Sequence, residues 1–290
     1  MKLSVVYATA GRADIVGEAL SFLTNQTRLA DEIIISAPSP ADVPPVDPAL
    51  PIKVVFGPKG LPAQRNTAMR ALDPDSGIII YFDDDFAPAP DYLEAAERLI
   101  QARADIAGLT GHVIADGIGG PGFTFQEAAA YLGAAGSRVA GAEKLRRIGG
   151  LYGCNMVMRR SLADGLTFDE TLPGYAWQED IDFTMQLGRR GRLYWTDALI
   201  GVHLGVKSAR SPGKPMGYAQ IANPIFMRRK RTVSIRHAYP LMIRNVAANM
   251  IKSLKPEPWC DRKGRLRGNL QAISDLMRGR LHPRNILDLK

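Results

Sequence analysis

Cysteine is scarce in this chain. Two residues, Cys154 and Cys260, in a length of 290 cannot build a disulfide framework, and no Cys/His cluster has zinc-ligand spacing. A reducing compartment fits that usage. Long apolar runs are also missing: stretches such as Ile78–Phe82 fall far short of the ~20 residues that a spanning helix needs. The N-terminus, MKLSVVYATAGRAD, enters a strand-like stretch directly, without the apolar region and cleavage site of a secretion signal. A cytoplasmic protein is expected. Internal repeats and low-complexity segments are absent, and with them solenoid and tail-like architectures.

What is present is an ordinary globular composition, 46% hydrophobic and 23% charged, with ample material for a core. The net charge of +8 is unevenly distributed. Residues 224–290 hold sixteen Lys/Arg against four Asp/Glu, whereas the first 223 hold 21 against 25. A mildly acidic body (1–223) thus carries a strongly basic C-terminal segment (224–290), a pattern suited to phosphate-rich surfaces. Nucleic acid is not the expected partner, because no aromatic interleaving or zinc-finger spacing accompanies the charge.

The first 110 residues alternate strand and helix signals. Strands are expected at Leu3–Thr9, Glu32–Ser36, Ile52–Phe56 and Gly77–Phe82, and helices at Ala13–Leu23, Pro62–Leu72 and Tyr92–Ala102. Such βαβ repetition predicts an open, mostly parallel α/β sheet with helices on both faces, whose ligands bind beyond the carboxyl ends of the strands. Further on, Phe125–Leu132 reads as a helix, Asn155–Arg159 as a strand, Tyr175–Arg190 as a helix ended by Gly191, and Leu193–Val202 as a strand; Gly117–Gly122 reads as flexible. Residues 1–115 form the expected nucleotide-binding half and 116–223 the acceptor half.

The fourth strand ends in Tyr81-Phe-Asp-Asp-Asp-Phe86. In extended backbone Asp83 and Asp85 point one way and Asp84 the other. Converging carboxylates of this kind suit a hard cation, Mg²⁺ or Mn²⁺, that keeps positions open for substrate phosphates. A solvated turn is the alternative. Asp91, next to Tyr92, is the better helix cap.

From here the chain resembles family 2 glycosyltransferases. Leu3–Thr9, SFLTNQT at 21–27 and DEIIIS at 31–36 are similar to the opening of that family. GLPAQRNTAM at 60–69 resembles its Gly-x-x-x-x-Arg-Asn segment, YFDDDF its DXD motif, and WQEDIDF at 177–183 its ED motif. The resemblance, covering about residues 3–205, implies a GT-A fold and inverting transfer from a nucleotide-diphosphate sugar. It also implies that Asp83 contacts the ribose, Asp85 ligates the metal and Asp180 is the base, with Glu179 an orienting neighbour. Many relatives carry an acid just after the second strand for base recognition; Ser36-Ala37-Pro38 stands there instead. A UDP-sugar is the favoured donor, with thymidine and guanosine donors open.

In the ED segment, Trp177, Ile181 and Met185 are spaced as one buried stripe, while Asp180 and Asp182 project to nearly opposite sides and cannot share a site. Acids at a helix N-terminus also interact favourably with its dipole, which explains them without function. His203, in GVHLG, is either a structural histidine or, by the resemblance, the residue completing the metal site; imidazole tilts the preference toward Mn²⁺. Arg65 and Lys207 are candidate diphosphate contacts, Arg65 by bidentate pairing. Gly149, Gly150 and Gly153 are expected to let backbone pass close to the sugar or to form a tight turn.

In the basic segment, Arg228-Arg-Lys-Arg231 precedes a helix expected over Leu241–Leu254. Ile243, Val246, Ala247, Met250, Ile251 and Leu254 fall on one side of it. Such a helix lies on an anionic membrane surface or packs on its own domain. A saccharide or lipid-linked acceptor is expected. A non-catalytic GT-A-like module that binds nucleotide or an anionic surface is the competing reading, as is a nucleotidyltransferase, of which Thr9–Asp14 holds only a faint signature.

Overall fold

The structure, a computed structural model, describes residues 1–136, 143–207 and 212–289; Lys290, the last cation of the basic segment, lies outside them. The first half alternates as its periodicity dictates: β1 (Lys2–Ala8), α1 (Ala13–Thr24), β2 (Glu32–Ala37), β3 (Ile52–Phe56), α2 (Leu61–Ala71), β4 (Ser76–Phe82), β5 (Phe86–Pro88) and α3 (Tyr92–Ala102). Then follow β6 (Ile106–Asp116), α4 (Phe125–Ala135), β7 (Leu145–Ile148), β8 (Asn155–Arg159), α5 (Arg160–Ala163), α6 (Glu179–Leu187) and β9 (Arg192–His203).

All strands join one sheet in the order β3-β2-β1-β4-β8-β6-β9-β5, with β7 beside β9. β3, β2, β1 and β4 run parallel, as expected. Beyond β4 the sheet is mixed: β8 is antiparallel to β4 and β6, and β5 and β7 are antiparallel to β9. β5, β6 and β7 lie outside the strands read from the sequence.

Strand alternation sorts the core into two layers. Leu3, Val5, Tyr7, Ile33, Ile35, Ile78, Ile80 and Phe82 face α1, α3 and α4. Val6, Ile34, Ile79 and Tyr81 face α2, α5 and α6 through Ala68, Ala163, Phe183 and Leu187. Each such large side chain, fully buried, contributes about 1.5–3 kcal/mol. Helix faces follow suit: α1 buries Val16, Ala19, Leu20 and Leu23, spaced as one stripe. Asp91 stands at the N-cap position of α3 without making a side-chain capping bond. Thr124 and Glu127 form a full capping box on α4.

A helical unit closes the chain: α7 (Gly213–Arg229), α8 (Ile235–Lys252), α9 (Arg262–Met277) and a 3-10 turn at Pro283–Asp288. Residue 224, the expected start of the basic segment, falls inside α7. Its core is Tyr218, Ile221, Ala222, Ala272 and Leu281. α7 and α9 cross at Gly217 and Gly268, where any Cβ would strike the carbonyls of Arg265 and Lys214. Only glycine permits that approach. Asn249 donates to Gln220 (2.7 Å) and Asn269 (2.9 Å), and Asn269 to the Gly217 carbonyl (2.6 Å), tying the three helices with buried polar bonds.

The helical unit grips the body through α6. Asp182, fully buried, accepts from Lys230 Nζ (2.6 Å) and Thr232 Oγ1 (2.5 Å), and Lys230 also reaches Asp169 (2.7 Å). Ile181 and Met185 pack on Met227, Val233 and Ala238 of this unit. The expected Trp177–Ile181–Met185 stripe is thereby corrected. α6 starts only at Glu179, because Gly174, Ala176 and Gln178 all take positive φ (65°, 51° and 73°) and break the helix ahead of it. Trp177 therefore lies outside the helix.

Candidate active site

Asp83, Asp84 and Asp85 follow β4 in a tight turn closed by the Phe86 N–H on the Asp83 carbonyl (3.1 Å). The expected division of the triplet holds although the backbone is not extended there. Asp84 turns inward to Thr9 Oγ1 and the Arg12 guanidinium (both 2.8 Å). Burial drives its carboxyl up to about 6, with Arg12 opposing. Asp83 and Asp85 turn to His203.

His203 ends β9. Its Nε2 lies 3.5 Å from Asp85 Oδ1 and 4.0 Å from Asp83 Oδ2. Its Nδ1 lies 3.0 Å from Asp116 Oδ1, and the other Asp116 oxygen accepts from the Tyr152 hydroxyl (2.8 Å). One ligand atom each of Asp83, Asp85 and His203 lies within 4.8 Å of the others. Two carboxylates and an imidazole whose far nitrogen is held by a third carboxylate form a donor set that fits Mn²⁺ or Mg²⁺. Burial lowers the His203 basicity, but Asp116 and Asp85 outweigh it and push its pKa up to about 10. As a metal ligand it must give up that proton. Burial would likewise raise the Asp85 carboxyl; His203, Arg12 and the Val206 N–H (2.7 Å) overcome it and hold it low.

Arg65, on α2, is 1% exposed. Its guanidinium pairs with Glu179 and donates to Asp83 (3.0 Å) and the Gly153 carbonyl (3.0 Å). This buried fork, turned on Glu179, Asp83 and Gly153, organises the site from beneath. Asp180, partly open to solvent, accepts from the Gly153 N–H through Oδ2 (2.8 Å). A Cβ on Gly153 would stand 2.9 Å from that oxygen, so the glycine leaves room for the carboxylate. Burial raises the Asp180 carboxyl, with Arg65 and the Ile181 and Gly153 N–H groups acting against it. Burial also raises that of Glu179, with Arg65 opposing.

Of the residues read from the sequence, Asp83, Asp85 and His203 converge on one point, and Arg65 links them to Glu179 and Asp180. Lys207 Nζ donates to the carbonyls of Gly117 (2.9 Å) and Ile118 (3.2 Å), one and two residues past Asp116. Gly117 itself opens a 3-10 turn. Asp116, Tyr152 and Arg12 were not legible as site residues. Asp116 ends the long β6, which no period-2 pattern marked, and Arg12 sits in a short βα loop of small residues. A surface cleft of about 550 Å³, lined by Asn66, Arg70, Phe168, Glu170, Lys230 and Arg284 among others, shares no residue with this acidic centre.

The model of the family described as glycosyl transferase family 2 matches residues 4–166, more than half of the chain. A search of curated proteins finds no match. Among solved structures, S. aureus TarS 1–349 in complex with UDP-GlcNAc is similar over 100% of this chain and 84% of its own, with a TM-score of 0.59 at 16% identity. The longer S. aureus TarS chain is 51% covered, with a TM-score of 0.52 at 14% identity. The mannosyltransferase PcManGT from Pyrobaculum calidifontis, in complex with GDP-Man and Mn²⁺, is similar over 100% of this chain and 88% of its own (TM-score 0.50, 14% identity). At such identities the structural likeness speaks for the fold, and that fold is GT-A. By the family match, the chain is a glycosyltransferase, a member of glycosyl transferase family 2.

Proposed function

We propose that the chain transfers a sugar from a nucleoside-diphosphate sugar to a hydroxyl of a saccharide or lipid-linked acceptor, with inversion, in a single displacement. The observation that carries this reading is the link from donor side to acceptor side through one residue. Arg65 touches Asp83 of the acidic cluster and Glu179, the neighbour of Asp180. Asp85 and His203, with Asp83 beside them, would hold Mn²⁺ or Mg²⁺. Bound there, the ion would offset diphosphate charge and stabilise the departing nucleotide. Support comes also from the Mn²⁺ and GDP-Man in the PcManGT complex and from UDP-GlcNAc in that of TarS.

Asp180 acts as base. Its raised carboxyl accepts the proton of the attacking acceptor hydroxyl, while the Gly153 N–H fixes its orientation. Glu179 and Arg65 position it, and Asp83 meets the ribose. Lys207 is assigned to the diphosphate, since the neighbouring Val206 N–H is bonded to Asp85. The acceptor is met at an anionic membrane surface, on the cytoplasmic side where nucleotide sugars are available. A panel of UDP-, GDP- and dTDP-sugars incubated with the protein and Mn²⁺ tests the reading. Slow release of nucleoside diphosphate from one base class is expected. Absence of release and of nucleotide binding across the panel would sink it.

A further inference from the structure

α8 is apolar on the wrong side for a helix that belongs only to its own domain. It packs inward through Ala238 and Asn249, which are buried, and through Met242 and Val246, which lie against the core of the helical unit. Another side carries Tyr239, Ile243 and Met250, exposed by 50, 68 and 57%, and Leu254, 89% exposed, follows two residues past the helix end. At ~100° per residue the three helical positions, Tyr239, Ile243 and Met250, fall within about 40° of one another, a row along the helix. Isolated exposed apolar residues need no explanation, whereas an aligned row of large ones marks a surface that is covered in use.

The charge around the row says what covers it. Residues 235–256 contain Arg236, Arg244, Lys252 and Lys255, all exposed, and no Asp or Glu. In a two-fold contact with a second copy, the same cations would face one another. An anionic bilayer complements both features: hydrocarbon at the row, headgroup phosphates at its flanks. The helix is also anchored beside the catalytic centre. Its His237 Nε2 lies 3.4 Å from Gln178 Oε1, one residue before Glu179. Past its end, the Trp259 indole N–H donates to the Gly119 carbonyl (3.2 Å), three residues from Asp116.

We propose that α8 is an interfacial helix: Tyr239, Ile243, Met250 and Leu254 enter the headgroup boundary of an anionic membrane, and Arg236, Arg244 and Lys255 bind its phosphates. The docking does not rest on the transferase reading.

The test is co-sedimentation of the full chain, without donor, on phosphatidylglycerol/phosphatidylcholine vesicles and on phosphatidylcholine alone. Expected is partition onto the anionic vesicles at least about tenfold above the neutral ones. Ile243→Asp/Met250→Asp should lose about tenfold of it, with donor hydrolysis in vesicle-free solution unchanged. Leu254→Ser, at the most exposed position, is the milder variant should the double one fold poorly, and a smaller loss is expected from it. Binding unaffected by either variant would overturn the proposal, reducing the contact to charge alone. So would a stable dimer in sedimentation velocity that Ile243→Asp dissociates, since the row would then be the seat of a second copy. Loss of donor hydrolysis in the wild type would count against the transferase reading and leave the docking result standing.

Discussion

Arg65 and Glu179 form a buried ion pair between α2 and the first residue of α6, with side chains 2% and 4% exposed. The same guanidinium reaches Asp83 at 3.0 Å. One side chain therefore sets the distance between the acids that end β4 and those that open α6. Removing it leaves Glu179 buried and unpaired.

Truncation of Arg65 to Ala should accordingly cost about 3–5 kcal/mol of stability, the range for breaking a buried pair. Arg65→Lys keeps the charge but lacks the planar fork that serves three acceptors at once. It should recover much of the stability and little of the activity. Urea unfolding together with donor turnover separates the two, and a Lys variant with full activity would mean that point charge alone suffices.

Asp116 holds Nδ1 of His203 and so aims Nε2 at Asp85 and Asp83. Asp116→Asn should weaken Mn²⁺ binding by about 10–100-fold, as loss of a ligand's outer partner does, while the fold stays intact. Titration of Mn²⁺ by electron paramagnetic resonance measures it. Unchanged affinity would remove His203 from the metal site.

The clasp of Lys230 on Asp169 and Asp182 ties the helical unit to the body and has a defined pH window. Burial opposes both shifts, yet pairing lowers the Asp169 carboxyl and raises the Lys230 ammonium. Asp169 thus contributes stability above its ordinary value of 3.8, lost as pH falls through the folded one. Lys230 contributes below its ordinary 10.5, lost as pH rises through its raised one. Lys230→Ala should cost about 1–3 kcal/mol at neutral pH, discounted because the lysine is partly exposed. The wild-type advantage in thermal unfolding should shrink at both pH extremes. A pH-independent difference would show that the clasp acts by packing alone.

Much of this was legible in the sequence. Uninterrupted, β-branched and aromatic runs such as IIIYF and VVYA between turn signals read as strands buried on both faces, and β3, β8 and α3 start and end where the residues predict. The convergence of Asp83 and Asp85 was readable from strand alternation, although the triplet alone reads equally as a solvated turn. What escaped detection has physical causes. α7 and α9 hold Gly213, Pro215, Gly217 and Pro224, and Gly264 and Gly268, residues that break an isolated helix; here the glycines let two helices touch, a tertiary gain that overrides propensity. α6 starts late because backbone strain at Ala176 and Gln178 is upheld by packing no local pattern reveals. The partners of Arg65 were not legible because burial is invisible in a single sequence: an arginine near acids reads equally as a phosphate clamp.

The claim most open to direct contradiction is that Asp180 serves chemistry and not donor binding. For Asp180→Asn, nucleoside diphosphate affinity in Mn²⁺ by calorimetry and sugar transfer at saturating donor are measured on one preparation. The account predicts affinity within about twofold of wild type and transfer slowed by about 10²–10⁴-fold, the usual worth of a general base. An affinity weakened tenfold with transfer preserved would place Asp180 in the nucleotide site and contradict it.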